Sequence, residues 1–178
     1  MKPLIVYYSH SENNKKLAVE LQDRIGCDMY EIKEKKKRKD LSIFIDFLVK
    51  RESRLAPTSF DVKDYGPVIL LAPIWAGKIA TPMRTFFKKA KGDLGDYSFI
   101  TLCSGIPGQR EKIAAELFNL TSQKPAAVTE LWINQLLPEE QRNKIKYTSK
   151  FRVGRQHFLL LDKEIRFFIE MALHTNKE

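Results

Sequence analysis

The sequence predicts an α/β fold with a doubly wound, five-stranded parallel sheet in the strand order 2-1-3-4-5. Two observations lead to this prediction. First, apolar runs of strand length alternate with runs of helical periodicity, as expected for parallel strands joined by helical crossovers. Second, the run PVILLAPIW at 67–75 contains no polar residue, as expected for a strand covered on both faces. Right-handed crossovers limit the topologies that such a chain can adopt.

Each element is predicted from its own residues. Strands are predicted at short apolar runs, and helices where apolar residues recur every three or four positions. Thr81 and Pro82 mark one helix start, because threonine caps a first turn and proline fits within it. The predicted strands are 4–8, 28–33, 67–75, 97–105 and 127–135. The predicted helices are 14–25, 81–90, 109–121 and 158–174.

Two long segments interrupt the alternation. Residues 33–66 form a connection with a helix predicted near 41–51, and residues 136–156 form a polar connection before the last helix. The helix near 41–51 is very apolar, so it is a dimer face, a lid over a ligand, or a segment packed on the sheet edge. No internal repeat or linker is evident, and residues 1–178 are predicted to form a single domain.

Charge narrows the range of partners. The 178-residue chain has a formal net charge of +9, and residues 33–54 hold nine Lys/Arg and four Asp/Glu. A basic field of this kind favours anionic partners. The run KEKKKRK at 33–39 is either a site for nucleic acid or acidic lipid or a solvated turn, and the solvated turn is favoured. It has no interleaved aromatic residue, which disfavours single-stranded nucleic acid as a partner.

Composition predicts a cytoplasmic protein. No apolar run is long enough to span a membrane, and the first residues lack the pattern of a secretory signal. The two cysteines, Cys27 and Cys103, are far apart and lack metal-ligand spacing, so reduced thiols are expected and a metal site is not.

Three loops are predicted to surround a ligand. In open parallel sheets the ligand crevice lies at the carboxyl ends of the strands, where the strand order reverses, which here falls between the first and third strands. This rule selects the loops 9–14, 73–78 and 103–108.

The first loop, SHSENN, carries many hydrogen-bond donors. Hydroxyl and amide side chains and the N–H groups of a helix start can all donate to phosphate oxygens. An ordinary helix cap by Ser11 is the alternative, and His10 is either a phosphate donor or a solvated loop residue. The loop contains neither the P-loop motif nor the dinucleotide glycine motif, which disfavours both of those nucleotide folds.

The other two loops suit a planar ligand. Trp75 stands at a strand end beside Ala76 and Gly77, where it can stack on a ring or cover the edge of the core. The third loop, CSGIPG, has small residues whose backbone amides can face a ligand edge, or it is a plain turn between strand and helix.

Together these loops resemble those of the flavodoxin-like family. Members carry S/T-x-T/S-G-N-T for the FMN phosphate, and SHSENN stands in that place with Glu12 at the glycine position. They often carry P-x-W-x-G followed by Pro and R-T-F, and PIWAGKIATPMRTFF at 73–87 is similar. TLCSG at 101–105 is similar to their small-residue fourth loop. The insertion after the second strand resembles the oxidoreductase branch more than the short electron carriers.

The resemblance implies FMN as the cofactor and assigns its binding residues. The phosphate would be surrounded by Ser9, His10, Ser11, Asn13 and Asn14. One side of the isoalloxazine ring would be lined by Pro73, Ile74, Trp75, Ala76 and Gly77, and the other edge by Cys103, Ser104 and Gly105. Lys78 and Arg84 would be either cations that favour an anionic reduced flavin or plain surface cations. No catalytic acid or base is implied, because the flavin performs the redox chemistry.

The implied function is that of an FMN-binding flavodoxin-like oxidoreductase or electron-transfer protein. An NAD(P)H or quinone reductase is favoured over a pure electron carrier, since flavodoxins that act as electron carriers are typically acidic and this chain has a net charge of +9. The redox partner would be a small molecule or a protein, and a homodimer is left open. The alternative is a flavin-free binding module that uses residues 33–54 for an acidic partner, which Glu12 and Asn14 motivate because they depart from the family motif.

Overall fold

A computed structural model of the chain describes residues 1–35 and 52–174 and contains a five-stranded parallel sheet. The strands are β1 (Leu4–Tyr7), β2 (Asp28–Glu31), β3 (Val68–Leu71), β4 (Ile74–Trp75), β5 (Lys78–Ile79), β6 (Tyr97–Cys103) and β7 (Val128–Trp132). The sheet order is β2-β1-β3-β6-β7, while β4 and β5 pair with each other in a separate antiparallel hairpin. Without that hairpin the order is 2-1-3-4-5, as predicted.

Helices cover both faces of the sheet. They are α1 (Asn13–Ile25), α2 (Thr81–Lys89), α3 (Gln109–Thr121), α4 (Ile133–Leu136), α5 (Ile145–Thr148), α6 (Arg155–Leu160) and α7 (Asp162–Leu173), with 3₁₀ turns at Val62–Asp64 and Glu139–Gln141. α2 and α3 pack on one face, and α1, α6 and α7 pack on the other. Within the described ranges, no helix has both the length and the apolar character needed to cross a membrane.

The two cores explain why the strands are apolar throughout. In β1, Leu4 and Val6 join the core beneath α2 and α3, whereas Ile5 and Tyr7 join the core beneath α1 and α7. Successive side chains of a strand point to opposite faces, so a strand between two helical layers needs apolar residues at every position. Burial of each large aliphatic side chain contributes about 1.5–3 kcal/mol.

The strand predicted at 67–75 is wrong in its second half. β3 ends at Leu71, and the chain then turns through the β4–β5 hairpin. The two residues of the hairpin turn, Ala76 and Gly77, have φ values of 45° and 77°. Positive φ at both central positions matches the twist of a two-residue hairpin, and glycine supplies it without steric cost. Trp75 therefore stands on a projecting hairpin rather than at the end of a core strand.

Other boundaries differ by smaller amounts. The predicted strand 127–135 ends at Trp132 and continues as the short helix α4. The predicted helix 158–174 begins earlier and is divided at Leu161 into α6 and α7. The helix predicted near 41–51 lies outside the described residues, as does most of the basic stretch 33–54.

Asn14 ties the start of α1 to the sheet. Its side chain accepts a hydrogen bond from the backbone N–H of Leu102 at 3.0 Å and donates to the carbonyl of Leu102 at 3.3 Å. β3 ends at Leu71, which pairs with Ile100, so β6 extends beyond its neighbour and the Asn14 amide satisfies backbone that no strand covers there. Asn14 is 2% exposed, which makes this pairing a buried one.

Asn14→Ala is expected to lower the free energy of unfolding by about 2–4 kcal/mol, because two buried backbone groups of Leu102 lose their partner. Urea denaturation followed by circular dichroism measures the change. Asn119→Ala, at an exposed position of α3, is the matched control and should shift stability by no more than about 0.5 kcal/mol. Equal effects of the two substitutions would show that Asn14 does not hold α1 to the sheet.

Candidate functional site

The three predicted loops lie at one edge of the sheet. β1, β3 and β6 are adjacent and parallel, and their paired residues align in register. The loops that follow them, which contain residues 9–12, 72–80 and 104–108, therefore leave the same carboxyl edge. The structure brings together the segments that the sequence selected.

Trp75 joins the first loop to the second. Its ring lies edge-on to Tyr8, with centroids 5.9 Å apart, and edge-on to His10, with centroids 6.0 Å apart. Trp75 is half-buried, so part of the ring is covered by these neighbours and part is accessible. Edge-to-face contacts of this kind favour a fixed ring orientation.

The hydroxyl of Ser9 is buried in the first loop with no hydrogen-bond partner among the described residues. A buried donor left unpaired costs about 1–3 kcal/mol, so natural proteins rarely keep one without a reason. The same loop leads into α1, whose first N–H groups have no intrahelical carbonyl to bond. The loop thus offers several donors for which residues 1–35 and 52–174 provide no acceptor, and a donor set of this kind suits a phosphate.

Glu12 keeps the backbone shape that glycine would adopt in this loop. Its φ and ψ are 66° and −10°, in the left-handed region, which costs a non-glycine residue about 1–2 kcal/mol. The carboxylate turns outward, with the side chain 57% exposed, and pairs with Lys15 at 3.1 Å. Glu12 occupies the N-cap position of α1 and no side chain caps the helix, so Ser11 does not serve as the cap.

The side chains of Asn13 and Asn14 are already committed to the protein. Asn13 donates to the carbonyl of Phe151 at 3.0 Å and accepts from the N–H of Val153 at 3.0 Å, while Asn14 pairs with Leu102. Each amide thereby uses its oxygen and one of its N–H groups within the protein. The backbone N–H groups of the two asparagines belong to the first turn of α1, where a helix has no intrahelical carbonyl for them. The contribution of the segment near 151–153 was missed from sequence, because nothing in a local motif indicates a contact across 138 residues.

The hairpin that carries Trp75 is held at its base by Glu116. The carboxylate accepts from the N–H of Ile79 at 3.0 Å and pairs with Arg84 at 2.8 Å. Burial raises the pKa of Glu116, and these two donors oppose the rise by favouring the carboxylate. Arg84 is therefore an anchor of the hairpin, and Glu116 is a second residue that sequence patterns did not indicate.

Cys103 lies beneath the third loop in a polar cluster. Its sulfur is 3.6 Å from the Glu130 carboxylate and accepts from Gln109 at 3.5 Å, and Gln109 also donates to Glu130. Burial, and next the negative Glu130, raise the pKa of the Cys103 thiol to about 12. The thiol stays protonated at neutral pH, so it is a packing group and not a nucleophile.

Gly105 gives the third loop its close contact with Trp132. It has a φ of 87°, and an added Cβ would lie 2.5 Å from Cγ of Trp132. Asn134 completes the support, since its backbone N–H bonds Ser104 at 3.3 Å and its side chain bonds the carbonyl of Gly105 at 3.4 Å. Ser104 itself is exposed at the loop surface.

Comparison with known proteins supports the fold. No family model matches the sequence, and no curated protein does. A flavoprotein from Lactobacillus acidophilus crystallised in complex with FMN has a TM-score of 0.63 at 19% identity, over 72% of this chain and 92% of that one. A candidate flavoprotein from Bacteroides uniformis has a TM-score of 0.64 at 17% identity, over 82% of this chain and 98% of that one. The chain therefore has a flavodoxin-like fold.

Gly105→Ala is expected to cost about 1–3 kcal/mol of unfolding free energy more than Gly108→Ala. Both glycines have positive φ, but a Cβ at Gly108 meets nothing within 4 Å, whereas one at Gly105 collides with Trp132. The pair therefore separates the clash from the backbone strain, and urea denaturation measures both. A cost for Gly105→Ala no larger than that of its control would contradict the packing described for this loop.

Proposed function

We propose that this chain binds FMN at the carboxyl edge of its sheet and acts as a flavodoxin-like oxidoreductase. The observation that carries the proposal is the buried hydroxyl of Ser9 in the loop between β1 and α1, which has no partner in the part of the chain that the structure describes. The fold shared with a flavoprotein crystallised with FMN supports it. The donor set of the loop fits a phosphate, and the half-buried Trp75 beside it fits a planar ring.

The phosphate would be held by donors from the first loop and the helix start. The hydroxyls of Ser9 and Ser11 and the ring of His10 provide side-chain groups. The first N–H groups of α1 provide backbone groups, and the helix dipole favours the anion there. Asn13 and Asn14 take part through their N–H groups, while their amides fix the helix start in place.

The ring would lie between the second and third loops. Pro73, Ile74, Trp75, Ala76 and Gly77 would line one side, and Cys103, Ser104 and Gly105 the other edge. Tyr8 and His10 orient the indole, and Glu116 with Arg84 fixes the hairpin from below. These contacts would let the hairpin present Trp75 in one orientation and shield one face from water.

Bound FMN would supply the hydride or electron transfer, and the residues of the chain would supply binding and orientation. We assign no catalytic acid or base, and the protonated Cys103 thiol has no nucleophilic role in this proposal. The net charge of +9 favours anionic substrates and partners, which include the phosphates of NAD(P)H. A reductase of the NAD(P)H or quinone type is the role that we propose.

The outward turn of Glu12 removes the main objection to this proposal. A carboxylate facing a phosphate would disfavour binding, but this one is exposed and paired with Lys15. The flavin-free alternative rests on the stretch 33–54, most of which lies outside the described residues.

Ser9→Ala is expected to weaken FMN binding about tenfold or more, through loss of a hydrogen bond to a charged group. The unfolding free energy of the flavin-free protein should stay equal or rise, because an unpaired buried hydroxyl is removed. Ser98→Ala is the matched control, since the buried hydroxyl of Ser98 in β6 also lacks a partner within the described ranges. Quenching of flavin fluorescence and urea denaturation measure the two quantities.

Only Ser9→Ala should change FMN affinity, whereas neither substitution should lower the free energy of unfolding. Unchanged FMN affinity in Ser9→Ala, or an equal loss in Ser98→Ala, would count against the phosphate site. A clear loss of stability in Ser9→Ala would show instead that its hydroxyl has a structural partner.

A further inference from the structure

Residues 142–155, here called the bridging segment, connect two loops of the candidate site. The first connection runs through Asn134, whose side chain accepts from the N–H of Asn143 at 2.9 Å and donates to its side-chain oxygen at 3.0 Å. Asn134 also bonds the carbonyls of Ser104 and Gly105 in the third loop. The start of the bridging segment is therefore fixed to the loop that would approach the ring.

The other end of the bridging segment is fixed to the first loop. Asn13, at the start of α1, bonds the backbone of Phe151 and Val153. Lys16 adds a hydrogen bond from its ammonium group to the carbonyl of Val153 at 2.9 Å. The segment thus runs along the rim of the site, from the third loop to the first loop.

The bridging segment presents an unbalanced positive surface. Its cations are Arg142, Lys144, Lys146, Lys150, Arg152 and Arg155, and all are exposed. No Asp or Glu occurs from 142 to 157. None of these cations forms an ion pair within residues 1–35 and 52–174. A charged patch of one sign beside a binding site steers and orients an oppositely charged partner.

Apolar side chains accompany these cations. Ile145 is 83% exposed within the bridging segment, and Leu159 and Leu160, just beyond it in α6, are 72% and 70% exposed. Protein interfaces combine an apolar centre that supplies contact with a polar rim whose charges set orientation. Exposed apolar side chains with cations beside them fit that arrangement.

A single-stranded nucleic acid requires aromatic rings with accessible faces. Both aromatic residues of the segment, Tyr147 and Phe151, are half-buried: the Lys146 ammonium lies over the Tyr147 ring at 5.6 Å from its centroid, and Phe151 packs against His157.

We propose that the bridging segment is the docking surface for an acidic redox protein. Its position on the rim would bring such a partner next to the loops that hold the flavin. This inference rests on the proposed FMN function, but the docking surface can be tested with or without flavin. The acidic-partner surface that the sequence predicts at 33–54 is a separate prediction, which this experiment does not address.

The test measures binding of a fluorescein-labelled acidic [2Fe–2S] ferredoxin by anisotropy, at about 150 mM salt. The triple variant Lys146→Gln, Lys150→Gln, Arg155→Gln should weaken binding about tenfold. This estimate assumes that each exposed ion pair lost to the partner weakens binding about twofold to threefold. The control variant Lys89→Gln, Lys91→Gln, Lys124→Gln removes the same charge near the opposite edge of the sheet and should stay within about twofold. Higher salt should weaken wild-type binding more than that of the bridging-segment variant.

Equal losses in the two triple variants, or no ferredoxin binding by the wild-type chain, would overturn the proposal. The proposal would also be overturned if the chain bound a DNA duplex of about 20 base pairs, or phosphatidylserine vesicles, more tightly than the ferredoxin at the same salt and through the same three cations. FMN affinity is measured in parallel and should be unchanged in both variants. Failure of the wild-type chain to bind FMN would end the proposed function, while the ferredoxin titration would still decide the docking surface.

Discussion

Three buried asparagine side chains position the loops of the candidate site. Asn14 pairs with the part of β6 that extends beyond β3, Asn13 pairs with backbone near Val153, and Asn134 pairs with the third loop. An amide can donate and accept at once, so it can satisfy peptide groups that no strand or helix reaches. Without these contacts, buried backbone groups of Leu102, Val153 and Gly105 would lose the partners shown here.

This arrangement divides the donors of the first loop into two groups. The asparagine amides hold the protein together, whereas the hydroxyl of Ser9 and the first N–H groups of α1 are the donors that we propose for a phosphate. Neither glycine nor a flexible loop is needed for this result, because Glu12 adopts the left-handed conformation and turns its carboxylate away. The position of the bridging segment depends on the same contacts, because the side chains of Asn134 and Asn13 hold its two ends beside the site.

Sequence patterns were sufficient for the sheet and its order. Apolar runs and helical periodicity depend on neighbours in sequence, so the parallel strands and most helices were predicted to within a few residues. The β4–β5 hairpin was missed because its apolar residues continue the run of β3 without a break. The roles of Glu116, Asn134 and the segment near Val153 depend on contacts between residues distant in sequence, and no local pattern encodes them.

The most direct test is a titration of the purified, flavin-stripped chain with FMN and, in parallel, with riboflavin, followed by flavin fluorescence. The two ligands share the ring and differ in the phosphate, which is the group that the first loop is proposed to hold. We predict saturable quenching by FMN at micromolar or lower concentration, with riboflavin weaker by about a hundredfold, the loss expected for several charge-assisted hydrogen bonds. Equal affinity for the two flavins, or no binding of FMN at high concentration, would contradict the assignment of this loop as a phosphate site.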